Sequence, residues 1–225
     1  MQHNDNHRIT VKSLLQEVWH TVSHIESGIK HTIISLATRP GKMIRGYIHG
    51  TRKQYQKPFS FLLITTTVYA LLLYWVNVYH QTHVVIDPAA DRHIRFLQTV
   101  DYLESKFYSW LHIGLLPFYG LVSMLIFRQV KYNLAEWMVV CCYSISFILL
   151  LLIPYQICDK IFNFSGPVHF YIQLVIIVSY SNLVMTDLVP GKQKLLIVLQ
   201  TLAWCIIIFS LFLYTVQGIA WLMTR

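Results

Sequence analysis

The sequence predicts an all-α, polytopic membrane protein: five transmembrane helices preceded by an N-terminal amphipathic helical arm. Three observations carry this. Apolar residues collect in five blocks of about twenty, the length a helix needs to cross hydrocarbon. Only 12% of the 225 residues are charged, whereas 55% are hydrophobic. Lys and Arg gather on alternate sides of the blocks, as they do where they set orientation. The net charge of +8 is therefore read first as an orientation device, and nucleic acid is not an expected partner.

The first residues, MQHNDNHRIT, are polar and lead to no short apolar region with a small-residue cleavage site. The first span is accordingly read as an uncleaved insertion signal. From about Thr10 to Thr38, Val11, Leu14, Leu15, Val18, Trp19, Val22, Ile25, Ile29, Ile33 and Leu36 recur in steps of three and four, one stripe of a helix. Lys12, Glu17, His20, His24 and Lys30 occupy the other face, so the helix lies in the headgroup plane or packs on the ends of the spans.

Thr38 is the expected N-cap of a second, short helix, with Pro40 in the first turn, where its missing N–H is not needed, and Gly50 at the end. Arg39, Lys42, Arg45, Arg52, Lys53 and Lys57 form a juxtamembrane basic cluster, each residue contributing roughly 1 kcal/mol when held near an anionic leaflet. These six are the candidate lipid- or partner-contact residues. Residues 1–57 thus form a cytoplasmic arm, and 58–225 the transmembrane domain.

The spans are placed at about Phe59–Tyr79, Trp110–Phe127, Trp137–Ile157, Val168–Thr186 and Leu195–Leu222. Trp75, Tyr79, Trp110, Trp137, Tyr155, Tyr171 and Trp221 fall near their ends, as an interfacial aromatic belt would. The last span is the longest and must tilt, kink or protrude. With the N-terminus inside, thirteen Lys and Arg are cytoplasmic and five are outside, which predicts an N-in, C-out topology in the inner membrane. In the long outer loop, DRHIRFLQTVDYLESKFYSW reads as a short helix after Asp87-Pro88 that leads into the second span. Cys141, Cys142, Cys158 and Cys205 lie in or beside apolar blocks and read as structural thiols; the mid-span position of Cys205 argues against a Cys158–Cys205 disulfide.

RPGKMIRGYIHGTRKQYQKPFSFLL and the later KYNLAEWMVVCCY together resemble an uncharacterised family of bacterial membrane proteins, frequent in Bacteroidetes and without assigned function. The positions that carry the resemblance are Arg39, Pro40 and Gly41; Tyr47, Gly50, Arg52, Tyr55, Pro58 and Phe59; and Tyr132, Asn133 and Glu136. It implies an inner-membrane location and a helical fold, and no chemistry. Many similar proteins begin with a Cys-x-x-Cys zinc ribbon; this chain has no cysteine before Cys141, so no metal is carried over.

His20, His24 and His31 lie close to one helical face with Glu17 a turn away, but a metal needs a fuller ligand set, and a solvated polar face is the better reading. His80, His83 and Asp87 form a similarly loose group. No Lys, Arg, Asp or Glu falls in the middle of a span, which weakens a pump or proton-coupled transporter. Asp159 and Lys160 close the third span on the outside; Glu136 and Asp187 sit at cytoplasmic ends, where carboxylates orient helices. His112, Gln156, Gln173, Asn182 and Gln200 are expected to tie helices together, at about 0.6 kcal/mol per bond. Pro117 and Pro154 interrupt two spans and mark where a cavity would open. Phosphate-loop, dinucleotide, serine-hydrolase and zinc-protease motifs are absent, and no catalytic residue or cofactor is nominated.

The reading is a non-enzymatic scaffold or accessory subunit whose basic segment docks on anionic lipid headgroups, a membrane-protein partner or another copy of itself. A small-solute transporter or channel subunit with its path near Pro117, Pro154 and Asn182 is the rival. A membrane enzyme acting on lipid is the third possibility, and requires titratable groups converging at one interface.

Overall fold

The computed structural model describes residues 28–79, 91–162, 166–189 and 194–225, and among them every regular element is a helix. Residues 28–38 form α1, followed by α2 (Pro40–Ile48), α3 (Pro58–Tyr79), α4 (Arg92–Ile126), α5 (Leu134–Phe162), α6 (Gly166–Leu188) and α7 (Lys194–Met223). The last five are long and apolar enough to cross a membrane. Consecutive members of this set run antiparallel. The ends of α4 and α6 and the starts of α3, α5 and α7 share one side of the bundle with α2, hereafter the foot end.

The spans start and stop within a few residues of the apolar blocks, with one large extension. The outer-loop helix and the second span are a single 35-residue rod, α4, about 52 Å long at 1.5 Å per residue. This is the longest helix, while the last span, in α7 with its 30 residues, is the longest span. No Pro or Gly interrupts Arg92–Ile113, so nothing in the backbone stops the helix where hydropathy begins. Pro117 and Pro154 both lie inside continuous helices.

Helix α5 is central, packing on α3, α4 and α6; α4 and α6 in turn pack on α7. More than half of the α5 span is buried, about twice the share or more of any other span. The foot half of the bundle is tight. A side chain on Gly120 would come 3.1–3.2 Å from Met138 and Leu134, so glycine there lets α4 close on α5. One turn further on, the Trp204 indole donates to Ser123 Oγ at 2.8 Å, and Ser123 donates to the Tyr119 carbonyl at 2.7 Å. Four threonine hydroxyls inside the apolar spans are satisfied on their own helix: Thr65, Thr66, Thr67 and Thr201 each bond the carbonyl four residues back.

The belt needs amendment. Trp75, Trp110, Tyr171 and Trp221 are exposed on the bundle surface, but Trp137 and Tyr155 are buried. Trp137 stacks on Phe127 and meets Tyr132 edge-on, so its large ring fills the α4–α5 corner. The four cysteines are free thiols, with only Cys158 exposed.

Replacing Trp204 by Phe keeps the ring volume and removes the one bond from α7 to Ser123. We expect a loss of roughly 0.6–1.5 kcal/mol of stability, read as a lower unfolding midpoint in detergent; an unchanged midpoint would mean the bond contributes nothing to closure.

Candidate functional site

The foot is built from α1, α2 and the segment 49–57. Proline at the first position of α2 costs no hydrogen bond, and the N-cap is Arg39, not Thr38, whose hydroxyl bonds back to Ile34 within α1. No side chain of the local sequence caps α2. Its cap comes from α6: the Asp187 carboxylate accepts the Lys42 backbone N–H at 3.0 Å. The favour is returned, because the Arg45 guanidinium donates to the carbonyls of Asp187 and Leu188 at the end of α6. A positive helix start thus abuts a negative helix end, with one carboxylate and one guanidinium exchanged across the junction.

This junction explains the glycine. A Cβ on Gly41 would fall 2.7–2.8 Å from Asp187 and the Leu188 nitrogen, which are backbone and near-backbone atoms that cannot swing away. Pro40, Gly41, Met43 and Ile44 are buried against the bundle. Tyr132 accepts a further hydrogen bond from Arg45, and burial, partly offset by that cation, raises its phenol above the ordinary value. Asn133 and Glu136 close a reciprocal capping box on α5, with bonds of 2.8 and 2.9 Å.

After Ile48 the chain reverses at Gly50, whose φ of +114° is a conformation that favours glycine. The returning segment is fastened at both faces. Gln56 donates its N–H to Thr32 of α1 at 2.9 Å, and its carbonyl accepts from Tyr143 of α5 at 2.6 Å. Tyr47 packs edge-on against Tyr143, and Arg52 lies over the Tyr47 ring at 5.8 Å. Tyr180 of α6 donates to the Leu36 carbonyl, so the described part of the arm is docked on the bundle, with Leu36 and Thr32 fully buried.

Residues 26–70 match a family described as a protein of unknown function (DUF3667). The matched stretch takes in the described part of α1, α2, the 49–57 segment and more than half of α3, so the likeness falls on the foot and the first span. No curated protein and no solved structure matches the chain.

Beside the foot lies an open groove of about 1060 Å³. Arg52, Lys53 and Lys57 stand on its rim with Tyr55 and Gln56, while Leu116, Met138, Val139 and Cys142 of α4 and α5 supply an apolar wall. The six basic residues are therefore not all brought to one place. Arg52, Lys53 and Lys57 face the groove; Arg45 is engaged with α6; Arg39 and Lys42 are exposed at the start of α2. Pro58 and Phe59 also line the groove, where they open α3.

The remaining candidates are dispersed. His31 packs against Tyr55; His20, His24, His80, His83 and Asp87 lie outside the described residues. Among the described residues no cluster of His, Cys, Asp or Glu could hold a metal. Gln156 bonds Tyr69 of α3 at 3.1 Å, and Gln200 bridges Gln129 and the Ile126 carbonyl, both across helices. Gln173 instead meets His169 one turn away, and His169 bonds Asp159 at 3.0 Å. Asn182 accepts the Thr186 hydroxyl through its backbone oxygen, within its own helix.

One constellation escapes the sequence reading. Asp101, Glu104, Tyr108, His112 and Tyr119 form a single stripe on α4, in steps of three, four, four and seven, and all five line a cavity of about 580 Å³ enclosed by all five spanning helices. His112 bonds the Tyr119 hydroxyl at 3.1 Å. Glu104, outside the apolar part of α4, has its carboxyl held above the ordinary carboxylate range, first by burial and then by the Asp101 charge. The spacing was visible, but it crosses from the loop helix into the span and so was divided between two elements.

Gly41→Ala should cost roughly 1–3 kcal/mol, because the two backbones must separate. Gly46→Ala, whose added carbon meets only the Thr51 hydroxyl at 4.0 Å, should be tolerated. Unfolding midpoints of the two variants in detergent provide the comparison.

Proposed function

We propose that this chain is a non-enzymatic, multi-pass inner-membrane protein whose foot faces the cytoplasm and holds an anionic lipid headgroup in the groove beside α2. The observation that carries this reading is the groove's construction. Three cations, none of them paired with a carboxylate among the described residues, stand beside an apolar wall formed by two spanning helices. A phosphate between Arg52, Lys53 and Lys57 would leave an acyl chain free to run along Leu116, Met138 and Val139. The excess of Lys and Arg at the foot end has the sign of a cytoplasmic surface and would draw the same headgroups.

The docked arm and the Arg45–Asp187 junction support a scaffold role, since they present the groove on a fixed frame. The rival, a small-solute channel or transporter, needs a path that reaches the foot. Tyr119, Ser123, Trp204 and Cys141 are buried in mutual contact between the cavity and that end, which favours a closed floor.

Lipids retained by the purified chain, measured by mass spectrometry, test the reading. Replacing Arg52, Lys53 and Lys57 together by Gln should lower the ratio of phosphatidylglycerol and cardiolipin to phosphatidylethanolamine roughly tenfold. An unchanged ratio would contradict lipid binding here, whatever the protein's orientation. Tagging the 49–57 segment and probing sealed cells should find it protected from outside reagents; labelling there would reverse the orientation.

A further inference from the structure

The cavity enclosed by α3–α7 is separate from the basic groove and has the opposite electrostatic character. Its lining contains two carboxylates, Asp101 and Glu104, and no Lys or Arg. Both acids stand where α4 emerges from its apolar stretch, which begins at Lys106, so the cavity has an acidic mouth at the end remote from the foot. Lys106, the nearest cation along α4, is drawn away over the Tyr102 ring at 4.9 Å.

Immediately inside that mouth the wall is aromatic. Tyr69 and Tyr108 lie 5.6 Å apart, Tyr108 and Phe212 5.7 Å, and His112 stacks on Phe212 at 4.7 Å. Rings from three helices thus bound one space beside Glu104. Aromatic faces attract cations through their quadrupoles, and the attraction grows when water is excluded. Carboxylates and ring faces in one enclosure select positive charge borne on an apolar body. Hydrated metal ions are poorly served, because few oxygen ligands converge there.

Deeper in, Ser181 is 1% exposed and lines the same cavity. Its hydroxyl lies beside the Cys205 thiol, a weak hydrogen-bonding group, and has no full-strength partner. A buried hydroxyl left in this way costs free energy unless something in the cavity engages it. The volume of about 580 Å³ is that of a small-molecule site and far exceeds what a few waters fill.

We propose that this cavity binds one hydrophobic organic cation, its charge held by Glu104 and Asp101 within the Tyr69–Tyr108–Phe212 rings and its apolar body reaching toward Ser181 and Trp204. Tetraphenylphosphonium and tetraphenylborate, nearly equal in shape and opposite in charge, are the probes. Equilibrium dialysis against the full chain in nanodiscs of zwitterionic lipid, with empty nanodiscs subtracted, should show saturable binding of one phosphonium per chain. The borate should bind at least tenfold more weakly. Glu104→Gln with Asp101→Asn should weaken phosphonium binding at least tenfold, and Lys53→Gln with Lys57→Gln, which alters only the basic groove, should leave it unchanged. The unmodified chain supplies the charge comparison, so the test does not depend on a variant folding. No saturable binding, equal binding of both ions, or undiminished binding after loss of both carboxylates would overturn the proposal.

Discussion

The junction between the start of α2 and the end of α6 is the constraint on which the foot depends. A nine-residue helix is too short to persist in water by itself. Here one of its free N–H groups, that of Lys42, meets a carboxylate 145 residues away in sequence, and its arginine bonds two end carbonyls of the helix that supplies that carboxylate. Asp187 would be unfavourable in the last turn of α6 alone, since it adds negative charge to a negative helix end. Against the start of α2 the same charge becomes a cap. Each helix end thus satisfies groups of the other.

Everything the foot presents follows from that fixture. With α2 docked, Tyr47 reaches Tyr143, Gly50 turns the chain, and Gln56 is pinned between α1 and α5. These restraints set Arg52, Lys53 and Lys57 at the rim of the groove, unpaired with any carboxylate among the described residues. The bundle is correspondingly polarised. Its foot half is closed by Gly120, Ser123, Trp137 and Trp204, whereas the other half opens around Tyr69, Tyr108, His112 and Phe212. Basic groove and acidic cavity therefore lie toward opposite ends of the same five helices.

The sequence made the spans legible because a twenty-residue apolar block has one economical structure in lipid, a helix whose backbone bonds are internal. It also marked Pro40, Gly41 and Gly50 as special; Pro40 and Gly50 have local causes, whereas Gly41 has none. Gly41 is needed because another helix end arrives there, and no spacing within 39–63 encodes that arrival. Arg45 was grouped with its basic neighbours for the same reason: charge is visible in a sequence, but its partner at Asp187 is not. Trp137 and Tyr155 misled because a ring with one polar atom suits both an interface and a core corner. The Asp101–Tyr119 stripe had the required period, and a boundary drawn between loop and span concealed it.

Hydrogen–deuterium exchange of the amides of 40–48 in nanodiscs tests most directly whether α2 is held by α6 or merely rests at the lipid surface. The account predicts protection approaching that of α5 in the unmodified chain, and in Asp187→Ala a selective loss of protection across 40–48 while α5 stays protected. Rapid exchange of 40–48 in the unmodified chain, or protection indifferent to Asp187, would contradict it.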